Sequence, residues 1–288
     1  MKLNNDRPGG GNTTLHLMMK HDFSRLMLLL PALIISLAFF LLPVGKLIWL
    51  SLADGTGQPY WSIFTQPIYY RSLLSTIVLS TLVTFVSLVI ATISGLFLTR
   101  YQFRGKSLLI AMLSFPLAFP GVVIGFFVIM LAGRQGIIAQ MSLALTGGRW
   151  VFAYTMAGLF LGYLYFSIPR VVLTVMGAAE KLDHHLVEAG RSLGASRWQI
   201  LRDITLPALT PGLISSGSIC FATSMGAFGT AFSLATDIDV LPMTIYTEFT
   251  LNANFAMAAA LSLILGAVTW LCLALARMKG ATSLNMGG

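Results

Sequence analysis

Apolar residues in this chain do not alternate with polar ones; they run together in six blocks, at 26–52, 73–98, 108–131, 151–176, 213–234 and 255–276. A helix needs about 20 mostly apolar residues to cross the hydrocarbon layer of a bilayer. Each block reaches that length, so the pattern predicts six transmembrane helices. The alternating ten-residue pattern of a membrane β-barrel is absent. Two polar stretches are long. One is the start of the chain, rich in Asn4, Asn5, Gly9, Gly10 and Gly11, which reads as a tail. The other, 177–212, separates the fourth block from the fifth and far exceeds an ordinary interhelical loop.

Within 177–212 the period changes. Leu186, Ala189, Gly190 and Leu193 recur at helical spacing, with charges on the opposite face. Gly194 ends that helix, since glycine adopts the left-handed cap conformation at no steric cost. Ser196 starts another as N-cap, and Gln199 three residues later completes a capping box. Trp198, Leu201 and Ile204 give the second helix an apolar stripe, and Pro207 and Pro211 are expected to close the unit before the fifth block. Three roles fit such a pair: helices lying on the lipid surface, an internal brace, and a knob for the groove of a partner protein.

Composition agrees with the pattern: 56% of the residues are hydrophobic and 10% charged, against about 25% charged in a soluble domain. The net charge of +8 would fit a nucleic-acid partner, but its placement does not. Taking alternate loops, 14 of the 18 Lys and Arg fall on one side and 4 (Lys46, Arg71, Arg134, Arg149) on the other. The positive-inside rule puts the larger set, both termini and the 177–212 segment in the cytoplasm. The first block is too long for the core of a signal peptide and is expected to remain as an anchor.

Candidate chemistry is sparse. No Asp or Glu lies between the ends of any block, so a proton or sodium relay lacks its parts. Arg170 falls near the inner end of the fourth. Gly105-Lys106-Ser107 lacks the preceding glycine of a phosphate loop, with Arg100 in its place, and reads as a basic turn. Cys220 and Cys272 sit in apolar blocks away from any histidine, and no nucleophile–base pair or metal-ligand cluster appears, so neither an enzyme nor a metal site is expected. The pairs Gly121/Gly125 and Gly158/Gly162 have the spacing of close helix packing. Pro116 and Pro120 in the third block, and Ser224, Gly226 and Gly229 in the fifth, suit either packing or the wall of a translocation pathway; Tyr154 is a further pathway candidate.

Glu188-Ala189-Gly190, then Gly194 after three residues, then Ile204-Thr205-Leu206-Pro207 after nine more, resembles the "EAA" loop of binding-protein-dependent ABC importer permeases. One departure is Gly190, where the family carries a second alanine. The resemblance implies an all-α, type I importer transmembrane domain over 73–277, with coupling helices at 178–210, a cytoplasmic tail at 1–24, an added first helix at 25–52 and a second tail at 278–288. It also implies partners: a cytoplasmic ABC ATPase dimer that carries the ATP and magnesium, a second permease subunit identical or homologous to this one, an extracytoplasmic substrate-binding protein, and the bilayer of a bacterial inner membrane. No cofactor is expected on this chain. Carried over, Glu188, Ala189, Gly190, Gly194, Ala195, Ile204, Leu206 and Pro207 would contact or support the ATPase coupling, with Leu206 and Pro207 anchoring the unit. "MGAFGT" and "LPMTIY" are similar to the branch serving polyamines, ferric iron, sulfate or thiosulfate, thiamine and phosphonates. The expectation within it is a polyamine, spermidine or putrescine. A self-sufficient channel is the rival class.

Overall fold

The computed structural model describes residues 30–53, 55, 57–182, 184–234 and 238–285. The expected tail at 1–24 lies outside them. The described residues form twelve helices: α1 Leu30–Ser51, α2 Gln58–Thr65, α3 Pro67–Arg100, α4 Lys106–Ser114, α5 Gly121–Ala132, α6 Ile137–Thr146, α7 Met156–Ala179, α8 His184–Ser192, α9 Arg197–Met225, α10 Phe228–Leu234, α11 Leu241–Tyr246 and α12 Phe255–Asn285. Six segments among the described residues are long and apolar enough to cross a membrane.

α3 and α7 make the principal pair, with α9 packed on both and α12 on α9. Gly95 permits the α3–α7 approach: a Cβ there would lie 2.8 Å from Val175 Cγ1 and 3.3 Å from the Val172 carbonyl. The core that results joins Val83, Ala91, Leu159, Tyr163, Val171, Val175 and Cys220. α1 leans on α12, and the rest of its surface is open, with Phe39 81% exposed. Such a surface is suited to lipid rather than water.

The helices depart from the sequence pattern in three places. In the third block, α4 passes into a 3-10 turn at Phe115–Ala118, Phe119 is extended, and α5 starts afresh at Gly121 with Pro120 as its N-cap. Pro116 and Pro120 each remove a backbone donor, so the ladder cannot run through. The longest apolar segment of that region is therefore Gly121–Thr146, not 108–131. The fifth block ends at Met225, and Gly226 and Ala227 separate α9 from the short α10.

The third departure concerns Pro207 and Pro211, which do not close the 177–212 unit. The second helix of that unit runs on as α9, from Arg197 to Met225. A π-helical turn at Leu201–Thr205, in which the Leu206 N–H reaches back to the Leu201 carbonyl, absorbs the missing donor of Pro207. Finally, α11 packs into the bundle. Leu241, Pro242 and Thr244 are buried, and the Leu241 N–H donates to Thr76 Oγ1 of α3 at 2.7 Å.

Candidate functional site

The helix pair around Gly194 is built by its termini. Gly194 has φ +81°, and no atom stands within 4 Å of where its Cβ would be, so conformation rather than space selects glycine. Around it, Gly194 N–H donates to Arg191 O and Ala195 N–H to Gly190 O, both at 3.0 Å. These are the two bonds of a Schellman cap. The next helix opens two residues later with both halves of the capping box: Gln199 N–H to Ser196 Oγ at 3.3 Å, and Ser196 N–H to Gln199 Oε1 at 2.7 Å. Hydrogen bonds thus hold the turn on both sides of Gly194.

The outer face of this knob is apolar and uncovered. Leu193 is 88% exposed, Trp198 67% and Leu186 55%. Glu188 and Ala189 are exposed on the same short helix, and Glu188 lies 3.9 Å from His185 Nδ1. The inner face holds the knob to the bundle. Gly190 faces Ile204 across the turn, and Ala195 is half-buried in the cap. Pro207, expected to anchor the unit, is exposed, and Leu206 is half-buried. Ile200, Thr205 and Leu209 are the buried positions instead, and Arg100 Nη2 at the end of α3 donates to Thr205 Oγ1 at 3.4 Å. Continuous helix through Pro207 turns these three inward; expecting a break there hid them.

A second feature lies inside the bundle. The breaks at Pro116–Pro120 and at Gly226–Ala227 meet, with α7 beside them, around a cavity of 350 Å³, within the range of roughly 300–1,000 Å³ usual for small-molecule sites. Pro116, Phe119, Gly121, Phe166, Arg170 and Gly226 are in its wall, with Gly229. Small residues bring the walls together. A Cβ on Gly229 would lie 3.1 Å from the Val122 nitrogen, and one on Gly121 3.1 Å from Thr230 Oγ1. Thr230 Oγ1 donates to Gly121 O and Ser233 Oγ to Val122 O, both at 3.0 Å, stitching α10 to α5. Tyr163 Oη donates to Ala227 O at 2.6 Å and fixes the second break to α7.

Of the pathway candidates, Pro116, Gly226 and Gly229 thus share one cavity, and Pro120 caps the helix that starts at its edge. Ser224 is fully buried just before it, its hydroxyl without a hydrogen-bond partner among the described residues. Tyr154 stands apart, half-buried in the turn before α7. Arg170 was the wall residue that sequence reasoning set aside as a helix-end charge. Its position fifteenth of 24 in α7 becomes visible only once the helix runs to Ala179. Glu248 is also buried, 5% exposed, accepting from Tyr69 Oη at 3.1 Å and Asn252 Nδ2 at 3.0 Å.

Apolar spans around a cavity, joined to a short two-helix knob, define a multi-pass membrane protein. The chain belongs to the binding-protein-dependent transport system inner membrane component family, whose pattern matches residues 87–278. The molybdenum transport system permease protein ModB of Escherichia coli is 32% identical over 230 residues, covering 78% of this chain and 99% of that protein. The sulfate transport system permease protein CysT of Escherichia coli is 32% identical over 236 residues, covering 77% and 81%. Sulfate permease 2, chloroplastic, of Chlamydomonas reinhardtii is 31% identical over 220 residues, and the match spans only 59% of that longer protein. Among solved structures, a bacterial ABC transporter importing the acidic polysaccharide alginate has the same fold, with TM-score 0.79 at 18% identity over 93% of this chain and 99% of that one. The chain is accordingly an ABC importer permease subunit of type I fold and no enzyme; ATP hydrolysis falls to a separate ATPase. These relatives carry molybdenum and sulfate in their names, and none of them a polyamine.

Proposed function

We propose that this chain forms half of the translocation pathway of a binding-protein-dependent importer for a tetrahedral oxyanion of the sulfate or molybdate kind. The polyamine expectation gives way to the sulfate-type alternative. The observation that carries the reading is the identity of 32% with a molybdenum permease across 99% of that protein's length. The cavity supports it: Arg170 is in its wall and no Asp or Glu is, an arrangement that disfavours a polycation. The chain works in a bacterial cytoplasmic membrane with both termini inside, paired with a second permease subunit. An ATPase dimer seats the knob, with Glu188, Ala189, Gly190, Gly194 and Ala195 at or beside the contact and Ile204, Leu206 and Pro207 behind it. An extracytoplasmic binding protein delivers the anion.

The test is competition in proteoliposomes holding the whole complex with its binding protein. ATP-driven uptake should occur with sulfate or molybdate and not with spermidine or putrescine. ATP-driven uptake of spermidine with no oxyanion uptake would overturn the substrate assignment.

A further inference from the structure

Arg170 is a half-buried cation in the cavity wall, with no ion-pair partner among the described residues. It stands nine residues before Ala179, about 13 Å along the helix axis at 1.5 Å per residue. Pro169 before it and Val171 and Val172 after it are buried, and Arg170 itself is half-buried. Its guanidinium makes no hydrogen bond or ion pair with any described residue. A guanidinium keeps its charge at any physiological pH, so it cannot relieve its position by losing a proton. An ionisable group held at such depth ordinarily faces a polar pathway and serves it.

The surroundings favour one sign and one shape of ligand. Phe119, Phe166 and Phe228 in the wall keep the local dielectric low and strengthen attraction to the charge. The twelve-residue α5 begins at the same cavity, with Gly121 in the wall and no side chain capping its first turn. The Val123 and Ile124 N–H groups already donate to the Pro120 carbonyl, at 3.0 and 3.3 Å, so this end of α5 adds the partial positive charge of a helix N-terminus rather than free donors. A guanidinium offers paired N–H donors that match two oxygens of one tetrahedral anion. We infer that Arg170 is the permease's own specificity-determining contact, holding the oxyanion in this cavity during its passage. The inference rests on the sulfate or molybdate reading above.

The experiment follows radiolabelled sulfate and molybdate into proteoliposomes containing the complete complex, for wild type, Arg170→Lys and Arg170→Gln. With binding protein saturating, Arg170→Gln should lower the uptake rate about tenfold or more, since a charge-assisted bidentate contact is lost. Arg170→Lys should fall between, keeping charge without the fork. Complex assembly and ATP hydrolysis stimulated by loaded binding protein should persist. Arg170→Cys, in a background with Cys220 and Cys272 replaced by serine, supplies a second readout. A thiol reagent carrying an ammonium group should restore uptake where a neutral reagent of equal size does not. Equal uptake by wild type and Arg170→Gln, or rescue by neither or both reagents, overturns the role of Arg170 and leaves the oxyanion reading standing. Failure of the wild-type complex to import either anion overturns that reading, and the role of Arg170 with it.

Discussion

Gly190 and Ile204, fourteen positions apart in the chain, face each other across the turn at Gly194: a Cβ on Gly190 would lie 3.0 Å from Ile204 Cδ1. The atom in the way is the far end of a flexible side chain, which can yield. Gly190→Ala should therefore be accommodated, and should stabilise α8 by up to about 1 kcal/mol through helix propensity. ATP-driven uptake by the variant complex should equal wild type. A loss of more than half would mean that the glycine itself is needed at the contact.

Gly194 behaves differently. At φ +81° an L-residue costs roughly 1–2 kcal/mol, and a β-branched one more. Gly194→Val should distort the Schellman cap, misplace Leu193 against Trp198, and abolish co-purification of the ATPase while the protein still inserts in the membrane. Undiminished co-purification would refute the coupling role of the knob.

The Tyr163 hydroxyl ties α7 to the break after α9 through its 2.6 Å bond to Ala227 O. Tyr163→Phe leaves that carbonyl without this donor, at a cost of about 1–2 kcal/mol. Thermal unfolding in detergent should shift downward by a few degrees, and uptake should fall as the cavity wall loosens.

α5 and α10 touch through glycine. A Cβ on Gly125 would overlap Ser233 Cβ, so Gly125→Leu must part the two helices and break the Ser233 to Val122 bond. The expected cost is about 1–3 kcal/mol, with a lowered melting temperature. The reverse case, Gly177→Ala on α7, meets no atom within 4 Å and should leave stability intact.

Rules that act over a few residues made much of this structure legible in advance. The left-handed glycine at 194, the capping box of Ser196 and Gln199, and the six apolar blocks all follow from neighbours in sequence. What stayed hidden needed the fold. Pro207 looked like a terminator, but a π-helical turn just upstream let α9 pass through it. Glu248 accepts from Tyr69, 179 residues away in the chain. The cavity draws on three separated stretches, around Pro116, Arg170 and Gly226. Periodicity gives no warning that two helix breaks will meet beside one arginine.

This permease is expected to move its substrate only when an ATPase drives it through the 184–207 knob. The direct measurement is sulfate flux into proteoliposomes holding this chain alone, and into proteoliposomes holding the full complex with binding protein and enclosed ATP. The account predicts accumulation against a gradient in the full complex, its loss in Gly194→Val, and no flux through the chain alone. Downhill sulfate flux through the chain with no ATPase present would contradict it.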